Sequence, residues 1–448
     1  MKRLSLVLAG LLVPALLAAQ LPDPSTRALG MAGAYGSLAR GYEAVAWNPS
    51  ALAALGRPAF SIGLPHLNFE FGSNVYGFSD FRKYANSYLS DADKQTLLDK
   101  IKPPDSTLSL RTIVGVAPFG LSVGPFGVAV GTAGEVNLGV GKDAVQLALF
   151  GNASRTGPGQ FFTASGSNGR GWGATTVAVS YAMPFPMLIG HLSVGVTGKY
   201  TIGNFLARGE DLGTRTTVNP SFAATVAGQA IYTDYGSHCG SISLTGSGPC
   251  GAKAGSGFAI DLGGTLQLAR DNITLSAVLV NALGSMSWSA DRLVYERTVQ
   301  QTTQAASGAV NTVVTDSTRL TTSGAIAADP QARALRDSLL AHANFARLAR
   351  FGVALKNGPL TVGGTLQIRL ASGLDQQYSQ VVSGGAEYLA LGVLPLRVGA
   401  AWNLAGALTL SGGFGLQLFG VNLDFAIASI SGSVNPGVRI GTGIGLIF

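Results

Sequence analysis

The sequence has little charge, little cysteine, and no long apolar run beyond its first twenty residues. Only 12% of its residues are charged, about half of what a soluble globular domain carries. Together with 47% hydrophobic residues and a mean hydropathy of +0.32, that scarcity excludes an ordinary water-facing surface. After Gln20 no apolar run reaches the roughly 18 residues that a membrane helix needs, so spanning helices are excluded. One other structure crosses a bilayer with every backbone group paired, the closed β-barrel. The four histidines (His66, His191, His238, His342) are scattered without ligand spacing, and the two cysteines form no zinc motif. Neither a metal nor a cofactor is therefore expected. The net charge of +7 is spread along the chain, so nucleic acid is not an expected partner. Gly120-Leu121-Ser122-Val123-Gly124 matches the nucleophile elbow of hydrolases. It lies between two strand-like stretches beside Pro118 and Pro125, not between a strand and a helix, and no enzyme is expected.

The chain opens like a secretory leader. Lys2 and Arg3 form a charged start, Leu4 to Leu17 an apolar stretch, and Ala18-Ala19-Gln20 a cleavage site. The expected layout is a signal peptide over 1–20, a plug over 21–57 and a barrel over 58–448. The plug reading rests on Arg27 to Gly56, which is mostly Gly and Ala with a few large residues. Small side chains let backbones approach closely. Asn48 is a good N-cap and Pro49 fits a first helical turn, which predicts a short helix over Ala51–Leu55.

Glycine is abundant, 62 residues in all, and beyond the plug it falls within alternating strands. In the last segment Val438, Ile440, Thr442, Ile444, Leu446 and Phe448 share one face, while Gly437, Arg439, Gly441, Gly443 and Gly445 share the other. Apolar outward and small or polar inward is the membrane-barrel pattern. It recurs over Leu192–Tyr200, Phe258–Leu268, Leu360–Leu370, Leu408–Leu418 and Val421–Ile427. Such segments, about 10 residues long, suit tilted spanning strands. The fold class is therefore an all-β antiparallel outer-membrane barrel with an N-terminal plug and a few short helices. Between 14 and 16 segments can be drawn, and 14 is expected. Inward glycine leaves room for a plug and leaves no polar lining for a wide pore, which favours a plugged or narrow lumen over a general porin.

Helical spacing occurs within Asp80–Ile101, Asp143–Phe150 and the stretch begun by Asp329-Pro330, which carries Leu335, Leu339, Leu340 and Phe345. Lumen, rim or outer loops could each accommodate these helices. The Thr- and Ser-rich stretch from Thr298 to Ala328 reads as an exposed loop. Cys239 and Cys250 share a Gly/Ser-rich loop, and in an oxidising compartment they are expected to form a structural disulfide.

The inward acids Asp261 and Asp424 and the inward bases Lys199, Arg369, Arg397 and Arg439 form the expected lumen network. A charge inside such a wall must pair or meet water. Either these groups hold the plug and line a pathway, or they pair wall to wall; wall-to-wall pairing is favoured for each one. Trp47, Asn48 and Pro49 are the plug and gate residues. Asn48 and Pro49 are expected to hold the plug's fold, whereas Trp47 is a gate or plain packing.

The string GMAGAYGSLARGYEAVAWNPSAL resembles the N-terminal signature of FadL-like outer-membrane proteins and of the related PorV-like barrels, with Ser50 in place of the usual Ala after Asn-Pro. Gly257–Trp288 and the stretch LRVGAAWNLAGALTLSGGFGLQLFGVNLDFAIASI look similar too, and the resemblance covers about a third of the chain. It implies a 14-stranded barrel with an N-terminal plug. In FadL-type members hydrophobic substrates pass through such a barrel. In PorV-like members the barrel is a partner for secreted proteins. The terminal Phe448 resembles the signal read by the barrel assembly machinery. Expected partners are outer-membrane lipid, that machinery, a small hydrophobic substrate and, on the second reading, a protein docked at the loops. A pocket near the plug lined by Trp47 or Phe60 would favour transport.

Overall fold

In the computed structural model, the described residues are 25–448 except 85–87, 104–105, 152–160, 189, 212, 218–221, 235–253, 269–271, 289–291, 307–308, 323–327, 329, 341–342, 375–379 and 433–435. The leader and its cleavage site, Cys239, Cys250, His238, Asp329 and His342 lie outside them.

Fourteen strands make the wall. The first, β1, comes in two pieces, Phe60–Gly63 and His66–Ser73, broken at Pro65, which has no N–H to give a ladder. Next along the chain come β2 (Thr107–Val123), β3 (Phe126–Gly141), β4 (Asn168–Met187), β5 (Gly190–Asp211), β6 (Gly255–Leu268) and β7 (Ile273–Trp288). The second half holds β8 (Arg347–Asn357), β9 (Leu360–Ala371), β10 (Gln380–Ala390), β11 (Leu394–Asn403), β12 (Ala407–Leu418), β13 (Val421–Gly432) and β14 (Gly437–Ile447). Each pairs antiparallel with its neighbour, and β14 closes on both pieces of β1 (Gly72↔Gly437, Leu67↔Thr442, Ser61↔Ile447). The expected 14-stranded antiparallel barrel is what the chain forms, and no described helix is long and apolar enough to span a membrane.

Alternation decides which face each residue takes. On β5, Ser193, Thr197 and Lys199 are buried while Val194, Val196 and Tyr200 are exposed. On β6, Asp261, Thr265 and Gln267 are buried and Leu262 is exposed. Exposed Leu, Val, Ile and Phe recur on the outer face of the wall from Leu67 to Ile444. A water-soluble monomer rarely shows an apolar surface that extensive, and a lipid-facing wall requires one. The turns after β2, β4, β8, β10 and β12 are short and lie at one end, with Phe60 and Phe448. The longer connections lie at the other.

Three expectations need correction. Asp80–Ile101 is two helices, Phe78–Tyr84 and Asp91–Asp99, because a capping box of Ser90 and Asp93 starts the second afresh. The stretch from Thr298 is not loop: Arg292–Ala306 and Ala309–Thr322 pair as a hairpin (Gln300↔Thr315) that adds to Phe222–Asp234 at the long-loop end. Its dense Thr and Val are β-branched, and such residues favour strands. The helix at Lys142–Phe150 forms where expected, whereas the one at Pro330–Leu340 ends before Phe345, which the helical spacing includes.

Candidate functional site

Residues 25–56 fold inside the barrel toward its short-turn end. Ser25 caps a helix over Thr26–Gly30, its Oγ accepting from Ala28 N at 3.0 Å. Tyr35 and Trp47 meet edge to face at 5.6 Å, and the Tyr35 hydroxyl donates to Glu43. Asn48 accepts from Ser50 N at 3.2 Å and Pro49 opens a 3₁₀ helix over Pro49–Ala53, two residues earlier than expected. Burial holds the Tyr35 phenol well above its usual range, and the Glu43 charge adds to the effect. Burial likewise raises the Glu43 carboxyl, against hydrogen bonds from Ser25 and Tyr35 that favour its ionised form.

The wall is shaped to this segment. A Cβ on Gly195 would stand 2.5 Å from Pro49, on Gly263 2.5 Å from Asn48, on Gly352 2.6 Å from Ser37, on Gly363 2.6 Å from Ala34, and on Gly385 2.7 Å from Met31. These strands and others therefore present bare backbone where the plug touches. Polar side chains supply the directional contacts. Asn48 Nδ2 and Ser50 Oγ both reach Thr265 Oγ1, at 2.9 and 2.7 Å. Gln267 accepts from Leu55 N at 2.6 Å and donates back to Leu55 O at 3.2 Å, as a neighbouring strand would. Ser61 Oγ accepts from Tyr42 N, and Ser37 pairs with Ser276, each at 2.8 Å.

The charged residues fall into three groups. In the first, Arg27 of the plug grips Glu387 with two bonds (2.8 and 2.6 Å), Glu387 accepts from Arg397 at 2.6 Å, and Arg397 reaches Asp424. In the second, Lys199 pairs with Asp261 at 2.7 Å and donates to Asn281 Oδ1 at 2.5 Å. In the third, Arg439 donates to Glu70, and Arg111 stands 3.6 Å from Glu70 and 3.2 Å from Glu135. Arg369 is partly buried on the inward face of β9, opposite Leu348, apart from the Glu387–Arg397–Asp424 chain. The structure thus brings Arg397 to Asp424 and Lys199 to Asp261 across the wall, and sets Arg439 against Glu70. Sequence reasoning missed Arg27, Glu387, Glu70, Arg111, Glu135 and Asn281. The inward phase of Glu387 and Glu70 in their strands was a usable signal. The partner of Arg27, 360 positions away, was not.

A cavity of about 200 Å³ lies on the plug's inner surface, where Ala28, Leu29, Ala32, Ala46 and Trp47 present apolar atoms. Glu70, Arg111, Glu135 and Arg439 line its side, with Trp172 and Arg350. The Arg350 guanidinium stacks on Trp47 at 4.8 Å. Phe60 is not part of this cavity; it sits at the barrel end, its ring 6.4 Å from that of Phe448. The chain just before β8 packs against Trp172, one of the lining residues. Phe345 is fully buried and meets Trp172 edge to face at 5.0 Å, in a cluster with Leu206, Met286 and Trp288. Trp288 Nε1 donates to Ala343 O at 2.6 Å and Asn281 Nδ2 to Ala346 O at 2.8 Å. Ser122 of the elbow-like string is buried in β2 and bonds Ser61 at 2.8 Å, so it sits in a strand without a nucleophile's turn.

Residues 51–369 match a family of unknown function, DUF5723. The chain belongs to that family. No curated protein matches it. Among solved structures it is similar in fold to a Pseudomonas aeruginosa FadL homologue, at 10% identity and a TM-score of 0.41, over 97% of this chain and 98% of that one. It is also similar to the P. putida toluene transporter TodX (13%, TM-score 0.42, 94% and 98%) and to the CymD monoaromatic hydrocarbon channel (13%, TM-score 0.46, 96% and 99%).

Proposed function

We propose that this DUF5723 member is a plugged channel of the bacterial outer membrane that admits small hydrophobic molecules. On this reading the leader is cleaved on export, and the barrel assembly machinery reads Phe448, which is 62% exposed at the short-turn end. One observation carries the proposal: the cavity resting on Ala28, Leu29, Ala32, Ala46 and Trp47, where the plug offers an apolar floor inside a lipid-facing wall. Trp47 is the gate residue of this reading, since it is both plug core and cavity floor. The test is uptake of toluene-sized probes into liposomes holding the full protein. The intact barrel should pass the probe, and Ala46→Trp, which fills the cavity, should cut the rate at least tenfold while the barrel stays folded on a heat-modifiability gel. Equal flux through both would end the reading.

The sheet that Phe222–Asp234, Arg292–Ala306 and Ala309–Thr322 build at the long-loop end favours a second reading, a barrel that docks a secreted or surface protein. A protein that co-purifies with the intact chain, and is lost when residues 292–322 are replaced by a short turn, would support it.

A further inference from the structure

The cavity has more chemistry than an apolar cargo uses. Its floor is apolar, but its side carries two carboxylates, Glu70 and Glu135, and three guanidinium groups, Arg111, Arg350 and Arg439. Three atoms on that side lack a hydrogen bond among the described residues: the indole Nε1 of Trp172, Oε1 of Glu135 and Nε of Arg111. Glu135 Oε1 is in ion-pair range of Arg111 Nε at 3.2 Å, yet neither atom gains a hydrogen bond of good geometry there. Both Trp172 and Glu135 are deeply buried, 6% and 3% exposed. They are also directly opposed across β3 and β4 (Glu135↔Trp172), so they stand side by side on the inner face. One is a donor and the other an acceptor. Buried polar atoms left in this way are costly, and they are normally matched.

A hydroxyl is the group that matches them, because it offers one donor and accepts as well. Size narrows the choice further. A cavity of about 150 Å³ holds one benzene ring, and this one is about 200 Å³. We propose that the cavity takes a neutral, hydroxylated single-ring molecule, its ring on the plug's Ala28, Leu29 and Trp47 and its hydroxyl accepting from Trp172 Nε1 while donating to Glu135 Oε1. The proposal rests on the channel reading and makes it more specific: a bare hydrocarbon of the same volume leaves both of these atoms without a hydrogen bond.

The test compares p-cresol with p-xylene, which differ by hydroxyl against methyl at one position. Binding of each is measured by calorimetry on the full-length barrel in detergent, against matched detergent blanks. The wild-type protein is expected to bind p-cresol at least about tenfold more tightly, since a site built to hydrogen-bond a hydroxyl rejects the analogue that lacks one. Trp172→Phe keeps an aromatic ring against Phe345 and removes the N–H. It should bring the cresol-to-xylene ratio down toward one. Equal binding of the two compounds by the wild-type protein overturns the hydroxyl assignment and leaves the channel reading standing. An unchanged ratio in Trp172→Phe overturns it too. Binding of neither compound overturns both this proposal and the channel reading. The wild-type ratio decides even if the variant fails to fold.

Discussion

At the scale of single residues, the plug is held by groups that are expensive to bury alone. Glu43 shows the consequence most directly. Burial raises its carboxyl above the usual range, and the bonds from Ser25 and Tyr35 and the charge on Arg27 only partly offset this. The folded plug therefore keeps the Glu43 proton at a pH where the unfolded segment, titrating near about 4.3, has lost it. The protonated form favours folding, so the contribution is complete below that unfolded value and is lost as pH rises through the raised folded one. Protease resistance of residues 25–56 should fall with rising pH across this window, and Glu43→Gln, which stays neutral, should flatten the profile. A profile unchanged by the substitution would mean that Glu43 is not the group that titrates. Arg27 makes a complementary case. Arg27→Ala leaves Glu387 with Arg397 alone, and removing one partner of a buried pair costs about 3 kcal/mol or more; with Arg27 one-quarter exposed the loss should sit at the lower end. Hydrogen exchange in Thr26–Gly30 should quicken accordingly, while exchange in the wall strands should not.

At the scale of elements, β7 is two half-strands joined by a strained residue. Its lower half pairs with β8 as far as Val280↔Leu348, and its upper half pairs with β6 alone within the wall. Asn281 stands at the junction with φ +56°, beside a register shift at Ile260/Leu262. A non-glycine residue in that conformation persists only when its surroundings fix it. Here Asp261 Oδ1 accepts from its backbone N at 2.7 Å, Lys199 donates to its side-chain oxygen, and its amide holds Ala346. The Lys199–Asp261 pair thus fastens the segment that packs on Trp172. Asn281→Ala leaves the Lys199 and Ala346 bonds unmade, at about 2–4 kcal/mol for two buried groups. Exchange should rise at residues 343–346 before it rises in β6. Asn281→Gly, which relaxes the backbone but removes the same side chain, should free the segment equally; if it does not, strain rather than the lost bonds governs the segment. None of this junction was legible in the sequence, where Lys199 and Asp261 read only as inward charges. A strand's own alternation reveals its face. It says nothing about which loop residue folds back to meet it, and so Phe345 read as part of a helix while it is in fact buried against Trp172 beyond the helix.

At the scale of the whole molecule, the wall was readable because lipid imposes one demand on every second residue, and that demand repeats 14 times. The fit of plug to wall was readable only as an excess of inward glycine, without a map of which glycine meets which plug residue. Adjacent positions on β10 separate the two demands. Gly385 faces the lumen, and a Cβ there would stand 2.7 Å from Met31 O; Gly384 faces out, with nothing within 4 Å of the same atom. In the outward position a β-branched residue suits both strand and lipid, so Gly384→Val should leave the barrel's melting temperature and the protease resistance of residues 25–56 unchanged or slightly raised. Gly385→Val meets backbone that cannot yield as a side chain can. Because the wall is closed by its own ladder, the plug should give way first: residues 25–56 become cleavable and single-channel conductance appears, while the barrel still runs as a folded species. If Gly385→Val instead destabilises the barrel and plug together in one transition, the two are one cooperative unit, and passage through the lumen would require opening the wall as well as moving the plug.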